Sequence, residues 1–271
     1  MEPDIRLVPL RLIQLQEDTD RSRLDRLVAR MQASGVLKDP PVVAKGLGRK
    51  LIQLDGTTRI SALRALSCTH AVVQFVDYSD TSQVLIKSWV HVSKVNRALF
   101  LRRLRAFPKI KTEEFKLGLG LRLASHPHSA VTIIFRNGWG LSILSDSDLF
   151  HKVRIMRKVV ELYAALITRD HEVSIEGMEQ LGDFFAKHKD NNVALFFPSF
   201  AAHEIYTLMK HNVELPQGIT RHIVNGRVLR INYPIEKLKR TVPMREKESY
   251  FRSFFADINL RYYEEPTLIV E

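Results

Sequence analysis

Lys50–Cys68 reads KLIQLDGTTRISALRALSC. Leu51, Ile52 and Leu54 make a short apolar run that breaks at Asp55-Gly56. A helix restarts at Thr57 and carries Ile60, Leu63 and Leu66 on one side. Two readings fit this strand-to-helix corner. In the first, Asp55 or Thr57 caps the helix, Gly56 makes the turn and Arg59 is solvated. In the second, the corner holds a phosphate. A helix N-terminus presents unpaired N–H groups and a positive dipole end. Gly56 lets the backbone approach closely, Thr57 and Thr58 offer hydroxyl donors, and Arg59 forks onto phosphate oxygens. Asp55, at the strand end, would hold Mg²⁺ through water.

The flanks extend this corner into a compact mixed α/β unit. RLVPLRLIQL (Arg6–Leu15) reads as extended. A helix follows in which Leu24, Leu27, Val28 and Met31 form one apolar stripe. Asp20 is its expected N-cap and Gly35 its C′ glycine. PPVVAKG and RKLIQLD are short strands, and THAVVQFVDY returns as another.

From about Ser82 the pattern loosens. KSWVHVSKVNRALFLRRLR (Lys87–Arg105) is read as helical. SAVTIIFRNGWGLSIL (Ser129–Leu144) is a hairpin turning at Asn137-Gly138. LFHKVRIMRKVVELYAALI (Leu149–Ile167) is an amphipathic helix. GITRHIVNGRVLRINYP (Gly218–Pro234) carries a second hairpin signal at Asn225-Gly226. A last helix, REKESYFRSFFADINLRYY, precedes a terminal strand, PTLIV. The expected class is therefore α+β with mixed α/β character, divided into domains 1–82 and 83–271.

The 271 residues carry 45% hydrophobic content, enough for a sizeable core. No apolar run approaches the roughly 18 residues needed to span a membrane. The opening, MEPDIRLVPL, is acidic and lacks a signal-like apolar core, which implies a cytoplasmic protein. Cys68 is the only cysteine, so neither an internal disulfide nor a cysteine-based zinc site can form. The net charge of +11 attracts polyanions: nucleic acid, nucleotides, phosphorylated metabolites or acidic lipid. It gathers in RALFLRRLRAFPKIK (Arg97–Lys111) and EKLKRTVPMREK (Glu236–Lys247), as solvated helix faces or as contacts to nucleic acid. His126 and His128, in SHPHS, have no third metal ligand nearby.

DGTTRISALRALSC, together with LVPLRLIQLQED and the helix ending at ASGVLKDPPVV, resembles the ParB/sulfiredoxin-type fold. Sulfiredoxins carry their reactive cysteine inside this corner. Thr57 stands there in this chain and Cys68 lies a helix away, which argues against sulfinic acid reduction. DNA-partitioning ParB proteins show a G-E-R-R-type corner and a downstream helix-turn-helix, and neither is recognisable. The chain is more similar to the branch that phosphorylates free L-serine, which includes archaeal serine kinases and a siderophore-pathway kinase. RLVPLRLIQLQE matches the opening of that branch, DGTTR its D-G-x-H-R corner, SWVH a Trp-x-His segment and LPQGITRHIVNGRVLRINYPIEKLK a late G-x-T-R segment. YYEEPTLIVE resembles its terminus.

This resemblance implies a kinase that uses ATP, or ADP, with Mg²⁺ to make O-phospho-L-serine from free L-serine or a close hydroxy amino acid. It assigns Glu17 as the catalytic base, which would accept the hydroxyl proton. Such a base is worth roughly 10²–10⁴-fold in rate. It assigns Trp89, His91, Thr220, Arg221 and His222 to the amino-acid substrate, with Arg221 suited to its carboxylate. Read without the family, Glu17 is a solvated acid, Trp89 is core, His91 is surface and TRH is an ordinary strand. One departure stands out: Thr58 occupies the place where the family has histidine. The alternative from another class is a DNA-binding regulator, or a nucleotide-binding switch, with a ParB-like fold and no catalysis.

Overall fold

β1 (Asp4–Pro9) runs antiparallel to β6 (His70–Val76), with Asp4 opposite Phe75 and Pro9 opposite His70. It forms the edge of a five-stranded sheet ordered β1-β6-β4-β5-β2, with β2 at Ile13–Gln14, β4 at Val42–Lys45 and β5 at Leu51–Asp55. The structure, a computed structural model, describes residues 3–108, 110–117, 128–145, 148–164, 167–171, 175, 177–256, 258 and 261. The chain divides into two compact units. The first comprises Met1–Leu15, Thr19–Val84 and Val224–Glu271, and the second Gln16–Asp18 and Leu85–Ile223. The units thus do not follow a division in sequence order at 82/83, because the chain beyond 223 returns to the first.

In the first unit, α1 (Arg21–Ser34) and α2 (Thr57–Ala65) supply the core of the sheet's helical layer. The Asp20 side chain caps α1 by accepting from Arg23 N at 3.1 Å. Gly35 closes the helix at φ 69°, a left-handed conformation that glycine adopts without the Cβ penalty. Met31 is buried, and Leu24, Leu27 and Val28 pack against the same core. α2 buries Ile60, Ala62 and Leu63 completely. The returning chain adds Val228, Ile231, Tyr233, Ile235 and Leu238 to this core, and α7 (Met244–Ala256) packs Tyr250, Phe251, Phe254 and Phe255 against it.

The second unit is built on a seven-stranded sheet ordered β11-β7-β12-β9-β10-β8, with β13 also paired to β7. These strands are β7 (Val84–Ser93), β8 (Lys111–Lys116), β9 (Ser129–Phe135), β10 (Trp139–Leu144), β11 (Thr168–His171), β12 (Val193–Phe196) and β13 (Thr220–Val224). The β9–β10 hairpin turns at Asn137-Gly138 as expected, with Gly138 at φ 78°. α3 (Arg97–Arg105), α4 (Leu149–Glu161), α5 (Met178–Lys187) and α6 (Ala202–Lys210) complete the unit. Val90, Val92, Ile134, Leu181, Phe184, Phe185 and Ala194 share one core.

Two sequence expectations are corrected. KSWVHVS is strand β7, not helix, because Val90 and Val92 alternate in a β-branched run that is buried from Val90 to Ser93. The helix begins only at Arg97, after Asn96 accepts from Leu99 N. Asn225-Gly226 does not turn a hairpin. Gln74 occupies the backbone groups a partner strand would take, donating to Gly226 O at 3.0 Å and accepting from Val228 N at 2.9 Å. The chain then continues to β14 (Tyr233–Pro234), which pairs with β3 (Val36–Leu37). The PTLIV strand and His126 lie outside the described residues. Among the described residues, no three His, Cys, Asp or Glu cluster as a metal site, and no helix is long and apolar enough to cross a membrane. The basic run from Arg97 leads through α3 into β8 rather than into a second helix. Arg97 lies over the Trp139 and Phe135 rings, at 4.5 and 4.9 Å from their centroids.

Candidate active site

The predicted residues fall into two clusters, one in each unit. In the first unit, β5 ends at Asp55, Gly56 turns at φ 93° and ψ 28°, and α2 starts at Thr57. A Cβ on Gly56 would lie 3.0 Å from Arg59 Nε and 3.0 Å from Pro41 Cβ, so the left-handed turn and the close arginine both require glycine. No side chain caps α2. The Thr57 and Thr58 hydroxyls have no hydrogen-bond partner among the described residues. The capping reading of the corner is therefore not what its residues do.

Asp55 turns instead to two arginines. Its Oδ2 accepts from Arg59 Nη2 and from Arg227 Nη2, each at 2.5 Å. Arg59 is not solvated, since its Nη1 also donates to Asp39 O at 3.2 Å. Burial acts to raise the Asp55 pKa, but the Arg59 and Arg227 charges outweigh it and hold the carboxyl below the usual range. Burial pushes Arg227 down to about 10 against the pull of Asp55, which leaves it charged at neutral pH. Both arginines meet the same oxygen, Oδ2, and neither ion pair engages Oδ1.

In the second unit, Gln16–Asp18 is pinned beside Leu215. Leu215 N donates to Gln16 O at 2.7 Å, and Asp18 N donates to Leu215 O at 2.9 Å. Asp18 also ion-pairs with Arg157. Glu17 between them is buried, not solvated. Its Oε2 accepts from Gly218 N at 2.9 Å, and its Oε1 accepts from Thr220 N at 2.7 Å and from Thr220 Oγ1 at 2.5 Å. These donors suit an ionised carboxylate. Gln16 Nε2 reaches Thr220 Oγ1 at 3.5 Å and His222 Nδ1 at 3.4 Å.

Arg221 lies over the Trp89 ring, 4.7 Å from its centroid, a cation–π contact that leaves the guanidinium N–H edges for an anion. His91 is completely buried beneath the loop that holds Glu17. Its Nε2 meets Gly218 O at 2.7 Å, and its Nδ1 meets Tyr163 Oη at 3.0 Å. A carbonyl only accepts, so Nε2 carries the proton and Nδ1 accepts from the tyrosine. Burial pushes the imidazole down to about 4, so it is neutral at physiological pH. His91 therefore positions Gly218 and has no ring nitrogen free to face a substrate.

Sequence reasoning missed Arg227, Gly218 and Tyr163. The first two sit inside the GITRHIVNGR run, but no local pattern marks contacts to Asp55 or Glu17. Cys68 is buried and its thiol is pushed up to about 11, chiefly by burial.

The fold is that of solved structures of SbnI and of a free serine kinase. The chain is 24% identical over 271 residues to the ATP-dependent L-serine kinase SbnI of Staphylococcus aureus (strain NCTC 8325 / PS 47), covering 98% of this chain and 97% of that one. It superposes on the structure of SbnI with C-terminal truncation at a TM-score of 0.69 and 20% identity, covering 93% of this chain and 96% of the other. A free serine kinase glutamate-to-glutamine variant in complex with AMP superposes at a TM-score of 0.69 and 17% identity, covering 88% and 95%. No protein-family model matches the chain.

Proposed function

We propose that this chain is a kinase of free L-serine, transferring the terminal phosphoryl group of ATP to the serine hydroxyl and releasing O-phospho-L-serine and ADP. The observation that carries this reading is the Glu17 cradle. A buried carboxylate is held by Gly218 and Thr220 in the same unit as the Arg221–Trp89 pair, which offers a cation for an amino-acid carboxylate.

The roles divide by unit. In the first, the α2 N-terminus, Gly56, the Thr57 and Thr58 hydroxyls and Arg59 bind nucleotide phosphates. In the second, Arg221 pairs with the serine carboxylate, Thr220 and His222 border the amino acid, Trp89 supports Arg221, and His91 holds the Gly218 loop. As the serine oxygen bonds to the γ-phosphorus and the β–γ bridging P–O bond breaks, Glu17 takes the hydroxyl proton. The donors around Glu17 suit its ionised form, and it takes the proton as the new P–O bond forms. Magnesium is proposed as a counter-ion of the nucleotide's phosphates, with Asp55 Oδ1 as its candidate contact through water. A reducing cytoplasm suits the single buried thiol.

The test is incubation of the purified protein with L-serine and Mg²⁺ plus ATP, ADP or CTP separately, with phosphoserine read by mass spectrometry. Phosphoserine formed with ATP is the expected result. Nucleotide binding with no phosphoserine from any donor would leave a nucleotide-binding switch as the reading.

A further inference from the structure

We propose that Arg227 is a second phosphate-binding arginine at the Asp55–Arg59 corner, and that Asp55 is the internal counter-ion which holds both arginines ready for a nucleoside polyphosphate. The inference rests on the reading of this corner as a phosphate site and adds a residue from the far end of the chain to it.

The backbone around Arg227 is fixed on both sides. Gly226 turns at φ 64° and its carbonyl accepts from Gln74 Nε2, while Val228 N donates to Gln74 Oε1 at 2.9 Å. Asn225 N donates to Gln83 O at 2.9 Å. Arg227 is thus presented in a set position before any ligand arrives, which lowers the ordering cost of binding. Its Nη2 is on Asp55 Oδ2, but its Nη1 is buried with no partner among the described residues. The side chain keeps 21% of its surface exposed, which gives a ligand access to it.

The arrangement is unbalanced as a purely structural feature. Two guanidinium groups bring ten N–H donors, and Asp55 offers both of them the same oxygen. The other nearby acid is already used: Asp39 Oδ1 accepts from Arg230 N at 2.7 Å, and its carbonyl accepts from Arg59. Like charges are held together around one acceptor beside an uncapped helix N-terminus and two hydroxyls without partners. A phosphate chain has the oxygens and the charge to satisfy these donors. It would take N–H groups that Asp55 cannot, and it would compete with Asp55 for those it can.

Binding of adenosine, ADP and inorganic pyrophosphate is measured by calorimetry on the full chain and its variants. Arg227→Gln is expected to weaken ADP and pyrophosphate roughly tenfold or more, with adenosine unchanged. Arg227→Lys should recover part of the loss. Asp55→Asn should tighten pyrophosphate several-fold. A merely structural arginine would not spare adenosine while losing pyrophosphate. If Arg227→Gln does not fold, Asp55→Asn/Arg227→Gln, which removes both charges of the ion pair, is compared with Asp55→Asn alone. Equal pyrophosphate affinity in the compared pair overturns the role of Arg227, and weaker binding by Asp55→Asn overturns the counter-ion role. A wild type that binds no nucleotide or pyrophosphate overturns the phosphate site itself and this inference with it. Absence of serine phosphorylation with pyrophosphate binding intact overturns only the kinase reading.

Discussion

Glu17 is held by donors from two residues, and this sets what its replacement should do. Glu17→Gln keeps one carbonyl oxygen to accept from Thr220, but it loses the second acceptor for Gly218 N and cannot take a proton. Serine phosphorylation should fall by roughly 10²-fold or more, while calorimetric nucleotide affinity stays near that of the wild type. Near-normal turnover in the folded variant would exclude Glu17 as the base. Arg221 offers a second test. Lysine retains the charge but not the planar fork, so Arg221→Lys should raise the serine KM and leave the nucleotide KM little changed. Serine methyl ester, which lacks the carboxylate charge, should be a poor substrate of the wild type. Its penalty should shrink in the variant, and full, independent penalties would show that Arg221 does not read the carboxylate.

Strand β7 ties the Glu17 cradle to the stability of its own sheet. His91 is buried and neutral, with its pKa lowered from 6.5 to about 4. Between those values the unfolded chain binds a proton that the folded chain excludes. Stability from this group is therefore complete above about pH 6.5, declines as pH falls, and levels off below about pH 4, an amplitude of about 3 kcal/mol. Urea unfolding across that range should show the decline. His91→Gln can still donate to Gly218 O and accept from Tyr163, so it should flatten the curve, and an unchanged slope would assign the acid sensitivity elsewhere. The same strand shows where sequence reading ends. α1 was legible to its caps because Asp20, Arg23 and Gly35 act on adjacent turns. The DGTTR corner was legible as a turn into a helix for the same local reason. β7 was misread because its alternating valines run directly into the amphipathic α3, and only pairing with β11, β12 and β13 separates them. Trp89, His91 and Arg221 were found through family likeness, yet the burial of His91 depends on Tyr163, Phe197 and Gly218, which no local spacing brings together.

At the scale of the whole chain, the first unit is discontinuous, and its stability should depend on residues that follow the second. Val228, Ile231, Tyr233, Ile235 and Leu238 are buried in its core. At roughly 1.5–3 kcal/mol for each side chain, their burial is worth on the order of 10 kcal/mol, comparable to the whole net stability of a typical domain. Backbone bonds add to this attachment: Thr69 N donates to Leu238 O, Ile235 N to Gly35 O and Arg240 N to Ser67 O. Lys247, also buried, donates to Thr69 Oγ1 at 2.6 Å. A fragment of residues 1–84 should therefore lack a cooperative unfolding transition by circular dichroism. The Asn225 N to Gln83 O bond places the two ends of this unit side by side, so a short Gly/Ser linker can join 1–84 directly to 224–271. The joined fragment should unfold cooperatively and bind pyrophosphate, because it keeps Asp55, Arg59 and Arg227 together. It should not phosphorylate serine, because Glu17 loses Gly218 and Thr220 and the fragment has no Arg221. Cooperative folding by residues 1–84 alone would show that the returning chain is an accessory to this core, and phosphoserine from the joined fragment would remove the Glu17 cradle from the reaction.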